Sequence, residues 1–337
     1  MTQLLGLTLL SLAATAILII PFIDFLYKIK LRRQDQTTVD PFNSPTPVFD
    51  KFNKWKVGTP FGGGLLIICV STVIFLWSFG ILNVKVNPTE IFAILFTFIS
   101  FGLLGLYDDG KKLANRAKVP FFGLRLRYKF LLQWALAFVP ASILYTKLGY
   151  SFVFIRGIGL TDIGLLYIPF AAFVIVSFAN AFNIADGLDG LAPGLLLIAL
   201  VSFLAISYTS VDQALGIYIA VLMGSVAAFL YFNIYKARIW LGDVGSMSLG
   251  ASLAIIGLLT GKTLAIAVIG GVFVLEIGSS LIQLLSKKFL HRKIFPVAPL
   301  HLYFLKRGWD EPKIVMRAWL LGAFFAILGL YLALIKQ

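Results

Sequence analysis

The chain has 337 residues, 59% of them hydrophobic and 13% charged, with a formal net charge of +14. Soluble domains carry about 25% charged residues, so this composition excludes an ordinary water-soluble globule and fits a polytopic membrane protein. The single cysteine, Cys69, excludes an intrachain disulfide and any cysteine-based metal site.

A crossing helix needs about 20 apolar residues. Stretches free of Asp, Glu, Lys and Arg mark the candidate spans in chain order: 1–23, 57–84, 91–107, 130–146, 163–185, 190–211, 213–235, 244–261 and 318–335. A further run, 263–286, is interrupted only by Glu276. The expected fold class is therefore an all-α polytopic membrane protein of about ten transmembrane helices, with 91–107 and 130–146 extending into their flanks. The first span is not a cleaved signal peptide, because its positive charges, Lys28 to Arg33, follow the apolar run.

Ten spans threaded in order put the segments 28–56, 108–129, 236–243 and 287–317 on one side, with 24 of the 29 Lys and Arg residues. Lys85, Lys147, Arg156, Lys262 and Lys336 fall on the other. The positive-inside rule then puts the basic segments in the cytoplasm and both termini outside. Such a face serves topology and anionic lipid, or collects anionic substrates. With no repeat of fixed period and no large soluble insert, one integral-membrane domain over residues 1–337 is expected.

On this threading Asp108, Asp109, Asp186, Asp189 and Asp243 all fall at cytoplasmic ends of spans. Acids beside a membrane need a reason. Helix capping is one, but five acids converging on a basic face point to an assembled site. In "GLYDDGKKL" Asp108 and Asp109 are adjacent, with Lys111 and Lys112 behind them; neighbouring carboxylates are tolerated where a divalent cation or a proton lies between. In "NAFNIADGLDG" Asn180, Asn183, Asp186 and Asp189 recur every three residues, so neighbours share a helix face. In "WLGDVGSMSLG" Asp243 opens a span between two glycines, where backbone can be approached closely and a helix N-terminus favours phosphate. Only two residues are histidine, so a hard, oxygen-liganded ion is expected, and Mg²⁺ with phosphates fits best.

"KWKVGTPFGGG" (Lys54 to Gly64) joins two lysines to a glycine-rich span entry, read either as an anion site or as packing; it lacks the order of a Walker A loop. "RLRYKFLLQ" (Arg125 to Gln133) adds three cations at another entry. Glu276 is an acid within a span, with Gln283 two turns on; it reads as functional by default or as a buried carboxylate bonded to another helix. The residues alone thus suit transfer from a soluble phosphorylated donor to a membrane-held acceptor. A transporter is the competing class, with acids near the midplane in broken helices.

At these motifs the sequence resembles the polyprenyl-phosphate N-acetylhexosamine-1-phosphate transferases, of glycosyltransferase family 4 type. Seven pieces run in family order over roughly residues 54–320: "KVGTPFGGG", "GLYDDGKKL", "RYKFLLQ", "NAFNIADGLDGLA", "WLGDVGSMSLG", "FVLEIGSSLIQ" and "APLHLYFLKRGWDEPKIVMRAW". The last piece resembles the branch whose donor is UDP-MurNAc-pentapeptide. The resemblance implies Mg²⁺-dependent transfer of phospho-N-acetylmuramoyl-pentapeptide to undecaprenyl phosphate with release of UMP, at the cytoplasmic face of a bacterial inner membrane. It implies membrane lipid as surroundings, no nucleic acid, and an option to form a homodimer. The alternatives are a UDP-N-acetylglucosamine-1-phosphate transferase for teichoic acid or surface polysaccharide, and a transporter or inactive scaffold of the same fold.

By the same resemblance Asp243 is the foremost metal ligand. Asp108 and Asp109 match an acidic pair that acts as base toward the lipid phosphate, assists the metal, or supplies a covalent nucleophile. His301 joins the catalytic set. Lys56, Asn183, Asp186, Asp189 and Asn233, with the backbone of Gly187 and Leu188, match the uridine and sugar pocket. Trp240 falls where an aromatic ring stacks on uracil, and Lys129 matches a cation near the active site. Two departures stand out: Leu302 and Tyr303 replace two histidines after His301, and Ala185 replaces a threonine.

Overall fold

The computed structural model describes residues 1–33, 45–46, 50–52, 54–82, 84, 86–114, 124–155, 159–209 and 212–335. Long helices dominate, because in hydrocarbon only a helix satisfies each backbone group within one segment. In chain order they are α1 (Thr2–Lys28), α2 (Gly63–Leu82), α3 (Pro88–Ala114), α4 (Leu126–Thr146), α5 (Tyr167–Ala185), α6 (Leu191–Thr209), α7 (Gln213–Asn233), α8 (Gly242–Leu259), α9 (Thr263–Ile269), α10 (Gly271–Phe289), α11 (Leu300–Lys306) and α12 (Glu311–Leu334). A small antiparallel hairpin, β1 (Phe152–Ile155) and β2 (Gly159–Asp162), pairs Val153 with Thr161. Lys85, Arg156 and Lys336, and parts of the basic segments 28–56 and 108–129, lie outside the described residues.

Among the described residues nine helices are long and apolar enough to cross a membrane: α1 to α8 and α12. The two short candidates do extend into their flanks, as α3 and α4. The tenth differs from expectation. Residues 263–286 do not form one straight helix but two, α9 and α10, bent by 79°. The Gly270–Gly271 pair lies at the break, where adjacent glycines weaken the helical ladder. The outer faces carry exposed Ile17, Val73, Leu103, Leu131, Leu320 and Ile327, a distribution that suits lipid and not water.

At the centre stands α8, buried along almost its whole length. It packs most extensively against α3 and α5, and also against α2. Its sequence is dominated by small residues, which let backbones approach where lipid gives no hydrophobic drive between helices. A Cβ at Gly64 of α2 would lie 2.0 Å from the Cα of Gly245, and one at Gly105 of α3 would lie 2.1 Å from the Asp243 carbonyl oxygen. Hydrogen bonds add specificity: Ser248 Oγ donates to the Phe98 carbonyl at 2.6 Å, and the Tyr218 and Ser252 hydroxyls are 2.8 Å apart.

The C-terminal ends of α3, α5 and α7 meet the N-terminal ends of α4, α6, α8 and α12 at one end of the bundle. Side-chain contacts from Asp108 to Lys129, Asp243 to Asn183, Gly190 to Asn233 and Asp189 to Glu311 tie these ends together. The position of the first residue of α8 thus depends on how closely α3 can lie beside it. Gly105→Ala should push α3 away from Asp243 and reduce turnover at least about fivefold, the effect of an overpacking cost of about 1–3 kcal/mol expressed at the site. Comparing turnover per folded molecule with detergent-solubilised yield checks it; wild-type turnover in Gly105→Ala would refute it.

Candidate active site

Successive residues on a helix are 100° apart, so the adjacent carboxylates at the end of α3 diverge. Asp108 turns toward α4: its Oδ1 accepts from the Leu124 amide and its Oδ2 lies 3.0 Å from Lys129 Nζ. Asp109 turns toward α8, where its Oδ2 accepts from the Val244 amide at 3.1 Å. It therefore caps the first turn of α8 from a neighbouring helix, which meets the orphan-donor need of a helix start. Gly242 has φ of +73°, and a Cβ there would meet Asp109 Oδ2 at 2.7 Å.

Asp243 sits in that first turn of α8, where the helix dipole favours an anion. Its Oδ2 lies 2.5 Å from Lys129 Nζ and 2.9 Å from Lys112 Nζ. Its Oδ1 accepts from Asn183 Nδ2 at 3.2 Å, and that amide also donates to Ser246 Oγ at 2.7 Å. Lys112 stands one turn beyond the acidic pair and reaches Asp108 at 3.3 Å and Asp109 at 3.4 Å. Three carboxylates face two ammonium groups, a formal excess of one negative charge with all five groups ionised.

Asp186 follows the last residue of α5 and lies beside this cluster. Among the described residues no hydrogen bond or ion pair holds its carboxylate. Burial, then Asp243 and Asp189, push its pKa well above the usual carboxylate range.

These are hard oxygen donors with an excess of negative charge, and Asp186 adds an uncommitted carboxylate. The chemistry of the set fits Mg²⁺. Among the described residues no three acids or histidines converge as a preformed ligand group; the lysine ammonium groups lie between the carboxylates instead.

A second cluster adjoins the first. Lys56, from the turn before α2, is buried with Asp189 at 3.0 Å and Glu311 at 2.6 Å. Asp189 Oδ2 accepts from the Ala237 amide at 2.9 Å, and the Asp189 amide donates to Glu311 Oε1 at 2.6 Å. Asn233 bridges backbone at both ends, accepting from Gly190 N at 3.1 Å and donating to the Ile239 carbonyl at 2.8 Å. Leu188 is buried, and its carbonyl accepts from Leu191 N at 3.1 Å. The half-buried Trp240 ring is faced by Lys56 Nζ and the Arg33 guanidinium, each 4.8 Å from its centroid.

His301 is the third piece. Its Nδ1 lies 3.0 Å from Glu276 Oε2, and its backbone N–H donates to Glu276 Oε1 at 3.2 Å. The other ring nitrogen faces Gly187: a Cβ there would lie 2.6 Å from Nε2. The intramembrane acid is thus a buried carboxylate bonded to another helix, and it fixes the direction of the His301 ring. The two departures from the histidine run fall elsewhere. Leu302 packs into the core, while Tyr303 lies under the Arg307 guanidinium at 4.8 Å. Ala185 is fully buried.

Other residues singled out from sequence stay outside the site. Gly63 and Gly64 donate their amides to the Trp240 and Leu241 carbonyls at 2.9 and 3.0 Å. Those two donors are spent within the fold, and the missing Cβ of Gly64 lets α2 pack against Gly245. Asn180 pairs with Gln133 of α4. Gln283 forms two 2.9 Å hydrogen bonds with the Phe295 backbone. Sequence reasoning missed Glu311, Ser246 and Trp319, and gave Lys112 no role. Lys112 stands at i+4 and i+3 from the acidic pair, the spacing that signals an ion pair. Glu311 precedes a proline at a helix start, a place where an acid reads as a dipole partner.

These features define an integral-membrane helical protein with carboxylates and ammonium groups gathered at one end of its bundle. Residues 91–261 match the family described as glycosyl transferase family 4. A protein of Rickettsia montanensis is 36% identical over 95% of this chain and 91% of its own length. Proteins of Borreliella afzelii (strain PKo) and Borrelia hermsii are 35% and 36% identical over 82% of each chain. All three bear the name phospho-N-acetylmuramoyl-pentapeptide-transferase. The chain belongs to glycosyl transferase family 4, among its phospho-N-acetylmuramoyl-pentapeptide-transferase members.

The raised Asp186 pKa has a stability consequence. Above its folded-state pKa the carboxylate is ionised in both states, and the folded state bears the burial and repulsion. Below the ordinary carboxylate range it is neutral in both, and the penalty vanishes. In EDTA, Asp186→Asn should therefore melt at or above the wild-type temperature at pH 8, the difference shrinking toward pH 4, while donor turnover falls. A lower melting temperature at pH 8 would refute this assignment.

Proposed function

We propose that the protein transfers phospho-N-acetylmuramoyl-pentapeptide from UDP-MurNAc-pentapeptide to undecaprenyl phosphate, the first lipid-linked step of peptidoglycan synthesis. The observation that carries the reading is the set of Asp108, Asp109 and Asp243 around Lys112 and Lys129, beside the Asn183–Asp189 loop, in a chain of this family. The proposed setting is a single multi-pass domain in a bacterial inner membrane, with both termini outside and the site facing the cytoplasm.

In the reaction a phosphate oxygen of the lipid attacks the β-phosphorus of the donor. The new P–O bond replaces the bond to UMP, which leaves with that electron pair. Both reactants are anions, so alignment and charge neutralisation are the main demands. Lys112 and Lys129 supply fixed positive charge where three phosphates meet. Asn183 holds Asp243 in place, and Lys56, Asp186 and Asp189, with the loop backbone, hold the nucleotide sugar. Trp240 offers the uracil a stacking surface. Asp243, with Asp108 and Asp109, would hold Mg²⁺, which when bound draws charge from the pyrophosphate and the leaving UMP. His301, aimed by Glu276 at Gly187, stands where a donor phosphate or sugar group passes.

UMP release by the purified protein, with and without Mg²⁺ and with each UDP-sugar, tests the reading. Release is expected with UDP-MurNAc-pentapeptide; release only with UDP-GlcNAc would overturn the donor, and no release with any sugar the enzyme. Asp243→Asn should abolish turnover while leaving the protein folded, and full activity would remove its metal role. Trp240→Ala should raise the donor KM about tenfold, as loss of about 1.4 kcal/mol of stacking would, and leave the lipid KM unchanged. Equal effects on both would exclude stacking.

A further inference from the structure

One carboxylate oxygen does two jobs at the start of α12. Glu311 Oε1 accepts from Lys56 Nζ and from the Asp189 amide, each at 2.6 Å. Eight residues on, Trp319 Nε1 donates to the Gly190 carbonyl at 3.2 Å. Its ring fits there because Gly194 lacks a Cβ, which would otherwise lie 2.2 Å away. The loop 187–190 is therefore gripped almost residue by residue from α11 and α12: Gly187 by the His301 ring, Asp189 by Glu311 and Gly190 by Trp319.

The charge arrangement asks for more than a brace. Lys56 Nζ lies 3.0 Å from Asp189 Oδ1, yet it gives its hydrogen bond to Glu311, and among the described residues that buried Asp189 oxygen accepts none. With Glu311, two buried carboxylates share one ammonium. The Asp189 carboxylate is then only partly neutralised and keeps its strength as an acceptor. Remove Glu311, and Asp189 takes the whole ammonium while its amide loses a charged acceptor.

We infer that Glu311 is a positioning residue for the donor nucleotide, acting through Asp189 and Lys56, with Trp319 as its companion on the same helix. The inference rests on the reading of Lys56 and Asp189 as donor-binding residues. It assigns α12, which begins some 120 residues after the loop it holds, a part in substrate affinity.

The test uses the full chain in detergent, with Glu311→Gln, Glu311→Asp and Trp319→Phe. Hydrogen bonds to charged groups are worth enough that Glu311→Gln should raise the KM for UDP-MurNAc-pentapeptide at least about tenfold, with kcat within about threefold. The KM for undecaprenyl phosphate should not change. Glu311→Asp, which keeps the charge, should recover part of the donor KM, and Trp319→Phe should shift it in the same direction by less. UMP affinity by calorimetry, which needs no chemistry, should fall with the donor KM. An unchanged donor KM and UMP affinity in Glu311→Gln overturns the inference, as does a loss of melting temperature alone or an equal rise in both KM values. If the wild type turns over no muramoyl donor, the functional reading fails, and the UMP titration still decides for or against Glu311. A wild type that binds no UMP overturns it.

Discussion

The arrangement depends on holding like charges together at one end of a membrane bundle. Asp108, Asp109, Asp186, Asp189, Asp243 and Glu311 crowd a volume from which most water is excluded, and isolated buried charges are prohibitively costly there. The solution is specific for each acid. Asp243 takes two ammonium groups and an amide, Asp109 a lysine and a helix-start N–H, Asp108 two lysines and a loop N–H, and Asp189 and Glu311 share Lys56. Asp186 alone is left without such a partner among the described residues. The site is thus a lattice of counter-charges with one open position.

That lattice needs helix ends brought very close together, and small residues supply the closeness. Because Gly64 and Gly105 let α2 and α3 lie against α8, the helix start bearing Asp243 meets the helix end bearing Asp108 and Asp109. A capping bond then crosses between helices instead of staying within one. The packing of the bundle centre and the electrostatics at its end are in this sense a single design: loosening one displaces the other.

Much of this was legible in the sequence. Spans followed from the absence of charge, and the acids at their ends marked where the chain gathers chemistry. What was not legible came from contacts between distant segments. Nothing local distinguishes Glu311 from an ordinary acid in a first helical turn; its partners are Lys56 and the Asp189 amide, 255 and 122 residues away. The stepping by three in "NAFNIADGLDG" suggested one polar face, yet within the helix Asn180 goes to Gln133 of α4, and past the helix end at Ala185 Asp189 goes to Lys56. The bend at Gly270 was hidden because composition reports apolarity but not direction.

That bend has a consequence for how the protein meets its bilayer. Two rods joined at 79° cannot both follow the membrane normal, so at least one tilts by about 40° or more, the limit of ordinary spans. With 1.5 Å of rise per residue, α9 is about 10 Å long and α10 about 28 Å. Their combined projection is about 16 Å with α9 upright and about 30 Å with α10 upright or with the tilt shared equally. The pair therefore meets the bilayer at a tilt that no straight span requires. Since α10 carries Glu276, which bonds both the ring and the backbone N–H of His301, the helix beyond the bend is tied directly to the ring that faces Gly187.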